Sequence, residues 1–419
     1  MAVNATYLRD LPPLPEYTLT PRPPLLQSIP DNILALILPI VAYWALSMIY
    51  HFIDVYDLFP HYRLHTPAEV LKRNHVTRWD VVRDVLLQQV VQTLAGIAVS
   101  YFDEDEYIGR EEYDVAVWAR RIRFLQRGLP HLLALFGVDA MGLAKTLSQN
   151  GHSVLSAVVA GGRYPGLTQS IMRNGTEVLV PAFAGWELSL ASFIYWYFIP
   201  TLQFTWGVCV VDTWQYFLHR AMHLNRWLYV TLHSRHHRLY VPYAFGALYN
   251  HPVEGFLLDT AGTGVAFLTA RMTNRQSMWF FTLSTIKTVD DHCGYAFPWD
   301  PLQHLTSNNA AYHDIHHQSW GIKTNFSQPF FTFWDRLLNT KWHGDVKLRY
   351  ERSREAAQRQ LNNEAAEVKA ESVASTTTVS PEESTDSNAR SRMRRKTATL
   401  SPRVDSLKGS KHGVASSVF

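Results

Sequence analysis

The sequence predicts an all-α protein, a multi-span membrane bundle of helices that carries a histidine-rich helical cap. Three observations carry that prediction. Long runs of almost uncharged residues recur along the chain. Hydrophobic residues make up 47% and aromatics 13% of the 419 residues, with 13 Trp, 20 Tyr and 21 Phe, the side chains that favour bilayer interfaces. Finally, eight of the 19 histidines fall in three five-residue windows, HRAMH, HSRHH and HDIHH.

Residues 1–30 are proline-dense (PPLPEYTLTPRPPLL), which favours an extended lead-in. DNILALILPIVAYWALSMIYHF follows, about twenty nearly uncharged residues, enough to cross a hydrocarbon core of about 30 Å. Residues 80–102 (DVVRDVLLQQVVQTLAGIAVSYF) form a second candidate, so 31–102 reads as the first two membrane spans. Gln88, Gln89 and Gln92 are tolerated there on a side facing other helices, to which they can hydrogen-bond. Residues 103–185 have an acidic start, the arginine-rich WARRIRFLQR and glycine-rich turns, and read as a membrane-surface insertion with short helices.

From 186 to 218 the chain is apolar but interrupted by Pro200, which predicts two spans turning near that proline. Two shorter apolar runs, 254–270 and 276–289, carry Glu254, Asp259 and Lys287 and read as a re-entrant or interfacial hairpin. Residues 186–345 thus form a histidine-bearing domain with further spans. The segment 346–419, rich in Glu, Ser, Thr, Lys and Arg, lacks the apolar surface to fold and is expected to be a disordered polar tail.

Several classes are excluded. A net charge of +3 with dispersed basic residues does not suit nucleic acid. Two cysteines, Cys209 and Cys293, supply neither a disulfide framework nor a cysteine zinc site, so any metal must be held by nitrogen and oxygen. The N-terminus shows no basic stretch, short apolar run and cleavage site in series, so no removable signal peptide is expected.

The histidine spacing is that of ligands. On a helix, residues three and four apart share a face about 5–6 Å apart, which brings His219 and His223 together. In HSRHH and HDIHH, His233 precedes His236 and His237, and His313 precedes His316 and His317, at those same intervals. Adjacent histidines differ by about 100° around a helix, which lets them serve different ions. Eight imidazoles exceed the needs of one ion and suit two.

His292, in TVDDHCGYAFPW, is a ninth candidate, with Asp290 and Asp291 placed to orient its ring. His251, in YNHPVEG, is a tenth. Arg220, Glu254 and Asp314 lie beside ligands, as orienting groups or as ordinary ion-pair partners, while His51, His61, His65 and His75 lack the spacing and read as interfacial or structural.

Imidazole suits iron, zinc or copper. A histidine-rich dinuclear site beside a membrane points to activating oxygen for attack on a buried hydrocarbon chain, because acid–base residues cannot break an unactivated C–H bond and a metal must carry that chemistry. Zinc hydrolysis normally uses about three protein ligands and an open position, fewer than are present. A zinc-binding membrane protein without activity, or a metal transporter, remains an alternative. A transporter places ionisable ligands near mid-membrane, whereas these windows follow the ends of apolar runs.

The order HRAMH, HSRHH, HDIHH, with a hairpin between and apolar spans around, resembles the fatty acid hydroxylase superfamily of membrane di-iron enzymes. More narrowly, DTWQYFLHRAMH, LHSRHHRLYVPYAFGALYNHPVEGFLLDT, KTVDDHCGYAFPWDP and NNAAYHDIHHQSWGIKTNFSQPFFTFWD look like its sphinganine C4-hydroxylases of fungal type. The resemblance runs over about 20–345 and is densest from 212 to 340.

The resemblance implies a multi-pass endoplasmic reticulum enzyme with its active site facing the cytosol, hydroxylating C4 of sphinganine or of the base within dihydroceramide. O2 would be co-substrate, with electrons from NAD(P)H through cytochrome b5 and its reductase as partners, since no fused cytochrome b5 domain is evident. Two iron ions would be held by the eight box histidines, with His292 as an additional ligand. Sterol C4-methyl oxidation or lipid desaturation on the same scaffold is the alternative, which box spacing does not distinguish. Trp214, Tyr216, Tyr240, Tyr243 and Phe245 are candidates to line a substrate channel or to anchor at the interface.

Overall fold

The computed structural model describes residues 11–102, 105–173 and 175–377. It divides into two units, Met1–Asn363 and Glu364–Phe419, and the site lies wholly in the first. The described residues are mostly helical.

Two helices among them are long and apolar enough to cross a membrane, α1 (Asp31–Val55) and the 40-residue Gly185–Leu224. Only 33% and 11% of their most apolar windows are buried. A core helix of a soluble protein would hide that surface; left in water it would cost roughly 25 cal/mol per Å², so both helices suit lipid. The short α2 (Pro67–Arg73) is closed by a capping box between Thr66 and Glu69. α3 (Arg78–Ser100) is long but falls short of the apolarity of a span, since Asp80, Arg83 and Asp84 occupy its first turns. Its glutamines do face neighbours: Gln89 is buried and accepts the indole N–H of Trp44 on α1 at 2.9 Å.

The insertion contains more than short helices. α4 (Glu111–Leu135) has 25 residues and is followed by α5 (Ala140–Gln149), α6 (Ser153–Val159) and the antiparallel hairpin of β1 (Thr168–Arg173) with β2 (Thr176–Pro181). α4 is pinned to the helix that follows the hairpin by a buried cation, with Arg123 Nε donating to Glu187 Oε1 at 2.6 Å and Gln126 Nε2 to the same oxygen at 2.7 Å.

Glu187 begins α7 (Gly185–Leu224), which corrects the expectation of two spans turning at Pro200. The chain does not turn. Ile194–Phe198 form a widened turn in which the Ile199 N–H bonds to the Ile194 carbonyl, five residues back. Pro200 then stands in the first turn of Ile199–Leu224, where its missing N–H costs nothing.

After α8 (Arg226–Thr231) and a 3-10 stretch, His233–Arg238, comes a helical hairpin. Its first arm, α9, runs through Pro252–Gly255 and a widened turn, Phe256–Ala261, into Gly262–Ala270. Its second is α10 (Asn274–Asp291), capped by Thr273. α9 lies antiparallel to α7: Gln203 Nε2 donates to Ala270 O at 3.1 Å and Trp214 Nε1 to Leu257 O at 2.8 Å. Close approach there depends on Gly262, whose Cβ would stand 2.7 Å from the Trp214 ring. α10 lies along α1 in the same direction, with Arg275 on Asp31 at 2.8 Å near one end and Tyr50 on Asp290 at 3.0 Å near the other. The main core, including Tyr43, Val85, Leu239, Phe245, Tyr249 and Tyr295, joins α1, α3 and α10 to the segment 239–249.

α11 (Ala310–His317), α12 (Phe333–Leu337) and α13 (Val346–Thr377) complete the described chain. The helix α13 replaces the disorder expected from 346 onward, as far as residue 377. Its composition favours helix, and its first turns find partners: the Tyr350 hydroxyl donates to Asp314, Arg354 to the Leu64 carbonyl at 3.1 Å, and Ala357 is buried. The rest of the expected tail, 378–419, and residues 1–10 of the proline-rich segment lie outside the described residues.

Candidate metal centre

Four elements deliver the histidines. His219 and His223 occupy the last two turns of α7. Asn225 ends that helix and caps α8, its Oδ1 accepting from Trp227 N at 2.9 Å and Leu228 N at 3.2 Å. The chain then presents His233, His236 and His237 from the 3-10 stretch rather than from an α-helix. His292 is the residue that closes α10. His313, His316 and His317 belong to α11, which Asn309 caps through the N–H of Tyr312 at 3.0 Å.

All nine are buried, none more than 7% exposed. They form two groups in which potential ligand atoms lie within 4.8 Å of one another: His219, His223, His233, His237 and His316, and then His236, His292, His313 and His317. Each adjacent pair, His236–His237 and His316–His317, is divided between the groups, as the spacing predicts. His251 joins neither. Its Nδ1 accepts the N–H of Val253 at 3.2 Å at the start of α9.

The hydrogen bonds test whether a metal fits. Carbonyl oxygens only accept, so a ring nitrogen facing one carries the proton and leaves the other with a bare lone pair. His219 Nδ1 faces Phe326 O at 2.9 Å, His236 faces Tyr249 O at 3.1 Å, His292 faces Thr288 O at 2.8 Å, His316 faces Thr324 O at 2.7 Å and His317 faces Leu239 O at 2.9 Å. His233 Nδ1 is held by the Glu254 carboxylate.

The Nε2 atoms then crowd together. His219 and His233 oppose each other at 3.1 Å, His233 and His237 at 3.0 Å, His292 and His313 at 3.1 Å, and His313 and His317 at 3.2 Å. His316 Nε2 is buried with no partner. In the His219–His233 pair, where each Nδ1 is already committed, the opposed lone pairs repel unless a cation lies between them, and His237 and His313 keep Nδ1 buried without a partner. Two nitrogens each about 2.1 Å from one ion, at right angles, stand about 3 Å apart, so both groups fit. Burial also keeps the rings neutral, pushing His233 down to about 3 and His236 to about 4, and neutral imidazole is the form that ligates.

The supporting shell departs from the sequence reading in two places. Asp290 and Asp291 do not orient His292: Asp290 meets Tyr50 and Gln303, while Asp291 meets Lys287 and Asn308. Arg220 turns to the Tyr216 hydroxyl at 3.4 Å. His65, read as interfacial or structural, is buried against Glu69 at 3.0 Å and Asp314 at 2.9 Å. Asp335, which had no sequence signal beyond its place in FFTFWD, accepts from Phe326 N at 3.1 Å and Ser327 N at 2.7 Å, fixing the loop whose carbonyl holds His219.

A pocket of about 20 Å³, the space of a water-sized group, opens among His219, His233, His236, His292 and His313. Beside it is a cavity of about 400 Å³, mostly apolar, lined from α1, α3, α7, α9 and α10, a size typical of small-molecule sites. Gln215, Asp259, Thr288 and Pro329 line both. The aromatics of this cavity are Tyr43, Phe256, Phe267 and Phe281, not Trp214, Tyr216, Tyr240, Tyr243 or Phe245.

Apolar helices suited to lipid, nine neutral imidazoles in two groups and an adjoining apolar cavity define a histidine-box membrane protein with places for two metal ions. The model of the fatty acid hydroxylase family matches residues 204–340, which contain all nine histidines. The chain belongs to that family. It is 43% identical to Sphingolipid C4-hydroxylase SUR2 of Saccharomyces cerevisiae over 79% of its own length and 77% of that protein. It is 38% identical to Sphinganine C4-monooxygenase 1 of Arabidopsis thaliana, over 75% of this chain and 88% of that one. It is also 36% identical to Very-long-chain aldehyde decarbonylase GL1-9 of Oryza sativa subsp. indica, over 74% and 89% respectively. No solved structure matches it.

Proposed function

We propose that this chain is a di-iron membrane monooxygenase that hydroxylates C4 of sphinganine, or of the base within dihydroceramide, giving the phytosphingosine type of long-chain base. The observation that carries the reading is the pair of imidazole groups opening onto an apolar cavity, in a chain similar over most of its length to proteins named for that reaction. One oxygen atom of O2 enters the C4–H bond and the other leaves as water, with two electrons supplied from NAD(P)H through cytochrome b5 and its reductase and two protons taken from solvent. The catalytic and metal-ligating residues in this reading are His219, His223, His233, His236, His237, His292, His313, His316 and His317.

When bound, two iron ions supply the oxygen activation that an unactivated C–H bond requires. The protein does the rest. The carbonyls of Phe326, Tyr249, Thr288, Thr324 and Leu239 lock five rings with Nε2 inward. Burial keeps bulk water from the centre. The cavity holds the alkyl chain in extended form and presents its C4 end at the junction lined by Gln215, Asp259, Thr288 and Pro329. The reading places the protein in the endoplasmic reticulum membrane as a multi-pass chain, its centre facing the cytosol where the electron donor can reach it.

Mass spectrometry of long-chain bases tests this, in cells lacking their own C4-hydroxylase, with and without the protein. Trihydroxy bases should appear with the wild type and vanish with His236→Ala. The rice relative's name favours one other reading, a reaction on long-chain aldehydes by the same centre. Unchanged bases with depleted aldehydes would select it.

A further inference from the structure

The long cavity is lined almost entirely by apolar and uncharged polar groups. Asp259 is its one charged lining residue among the described residues. It stands at the end that meets the imidazole pocket. Both carboxylate oxygens are weakly engaged: Gln215 Nε2 and Asn250 Nδ2 each approach at 3.4 Å, the long limit of a hydrogen bond. No described cation pairs with it. A carboxylate in such surroundings costs several kcal/mol unless something positive or proton-donating meets it, and this one lines both spaces a substrate would occupy.

The chemistry of the substrate says what meets it. This step rests on the sphingoid reading above. In a 2-amino-1,3-diol, C4 adjoins the C3 carbinol and lies two bonds from the carbon bearing the amine. A base whose C4 reaches the imidazole pocket therefore brings its ammonium group to the same junction, while its alkyl chain fills the apolar cavity. We infer that Asp259 is the specificity-determining residue of the site: it pairs with the ammonium of a free long-chain base and, with Gln215 and Asn250 steadying the carboxylate, sets C4 before the metal centre. N-acylation removes that charge, so Asp259 favours the free base over the ceramide.

The experiment uses the full chain, metal-loaded and in detergent, and follows thermal stabilisation by a long-chain primary alkylamine and by the alkanol of equal length. The wild type should bind the amine roughly tenfold or more tightly, the gain of one charge-assisted pair. Asp259→Asn should lose that preference while still binding the alkanol, which shows the cavity intact. In turnover, the same variant should raise KM for sphinganine by about the same factor and lower kcat as well, because C4 is no longer held in place, and Asp259→Glu should recover part of both.

Equal binding of amine and alkanol by the wild type would overturn the inference without recourse to any variant. So would an Asp259→Asn protein that keeps the preference. A wild type that prefers the amine yet leaves sphinganine unchanged would uphold Asp259 as an amine site and remove the proposed reaction instead.

Discussion

His219 and His233 face each other Nε2 to Nε2 at 3.1 Å, and each has committed its other nitrogen, to the Phe326 carbonyl and to Glu254. No proton lies between them in that arrangement, which leaves a place for a cation. The purified protein should bind about two iron ions per chain, read by elemental analysis. Glu254→Gln weakens the hold on His233 and should lower metal affinity about 10–100-fold, read by competition with a chelator. A variant that loads metal as tightly as wild type would show that Glu254 does not orient its histidine.

Removing the metal leaves opposed lone pairs in the core. Chelation should therefore lower the thermal midpoint, and re-addition of iron should restore it by mass action.

His65 supplies a pH dependence of stability. Burial alone would lower its pKa, but the Asp314 charge and hydrogen bond, followed by Glu69, hold it up at about 9. A raised folded-state pKa means stability fully present below the unfolded value of about 6.5 and lost as pH climbs through about 9. The contribution is on the order of 3 kcal/mol. The thermal midpoint should fall between pH 7 and 10, and His65→Gln should flatten that fall.

Gly264 lines the long cavity, and a Cβ there meets nothing within 4 Å. Gly264→Leu should fold normally and fill part of the chain's space. Turnover should drop several-fold for long bases and less for bases with shorter alkyl chains, measured as relative kcat/KM.

Arg123→Ala would strand the Glu187 carboxylate, which has no exposure, and should cost about 3–5 kcal/mol. Limited proteolysis should then cut more readily within 105–181. Replacing both residues with apolar ones of similar volume should recover most of the loss.

The grouping of the histidines was legible because imidazole spacing is a local property: three- and four-residue intervals bring rings together on a 3-10 stretch as on an α-helix. What lay outside local reach was the destination of second bonds. Asp290 lies two residues before His292 in sequence yet serves Tyr50, two hundred and forty residues away. Thr288 and Phe326 hold rings through backbone carbonyls, which every residue has and no motif can mark. Pro200 was misread for a related reason: proline signals a break, but the widened turn before it absorbs the missing N–H. α13 was misread because composition measures the power to build a core, not the partners offered by Asp314 and Leu64.

α7 carries Glu187 in its first turn and His219 and His223 in its last two. At 1.5 Å per residue, its 40 residues extend about 60 Å, twice a hydrocarbon thickness of about 30 Å. Both ends cannot be immersed at once. In the membrane reading proposed above, the rod whose exposed Trp196, Tyr197 and Leu202 would meet lipid works as a ruler, fixing how far its terminal imidazoles stand from the oily layer. A membrane of altered thickness would move the helix and its two ligands together, which ties the height of the metal centre to the lipid around it.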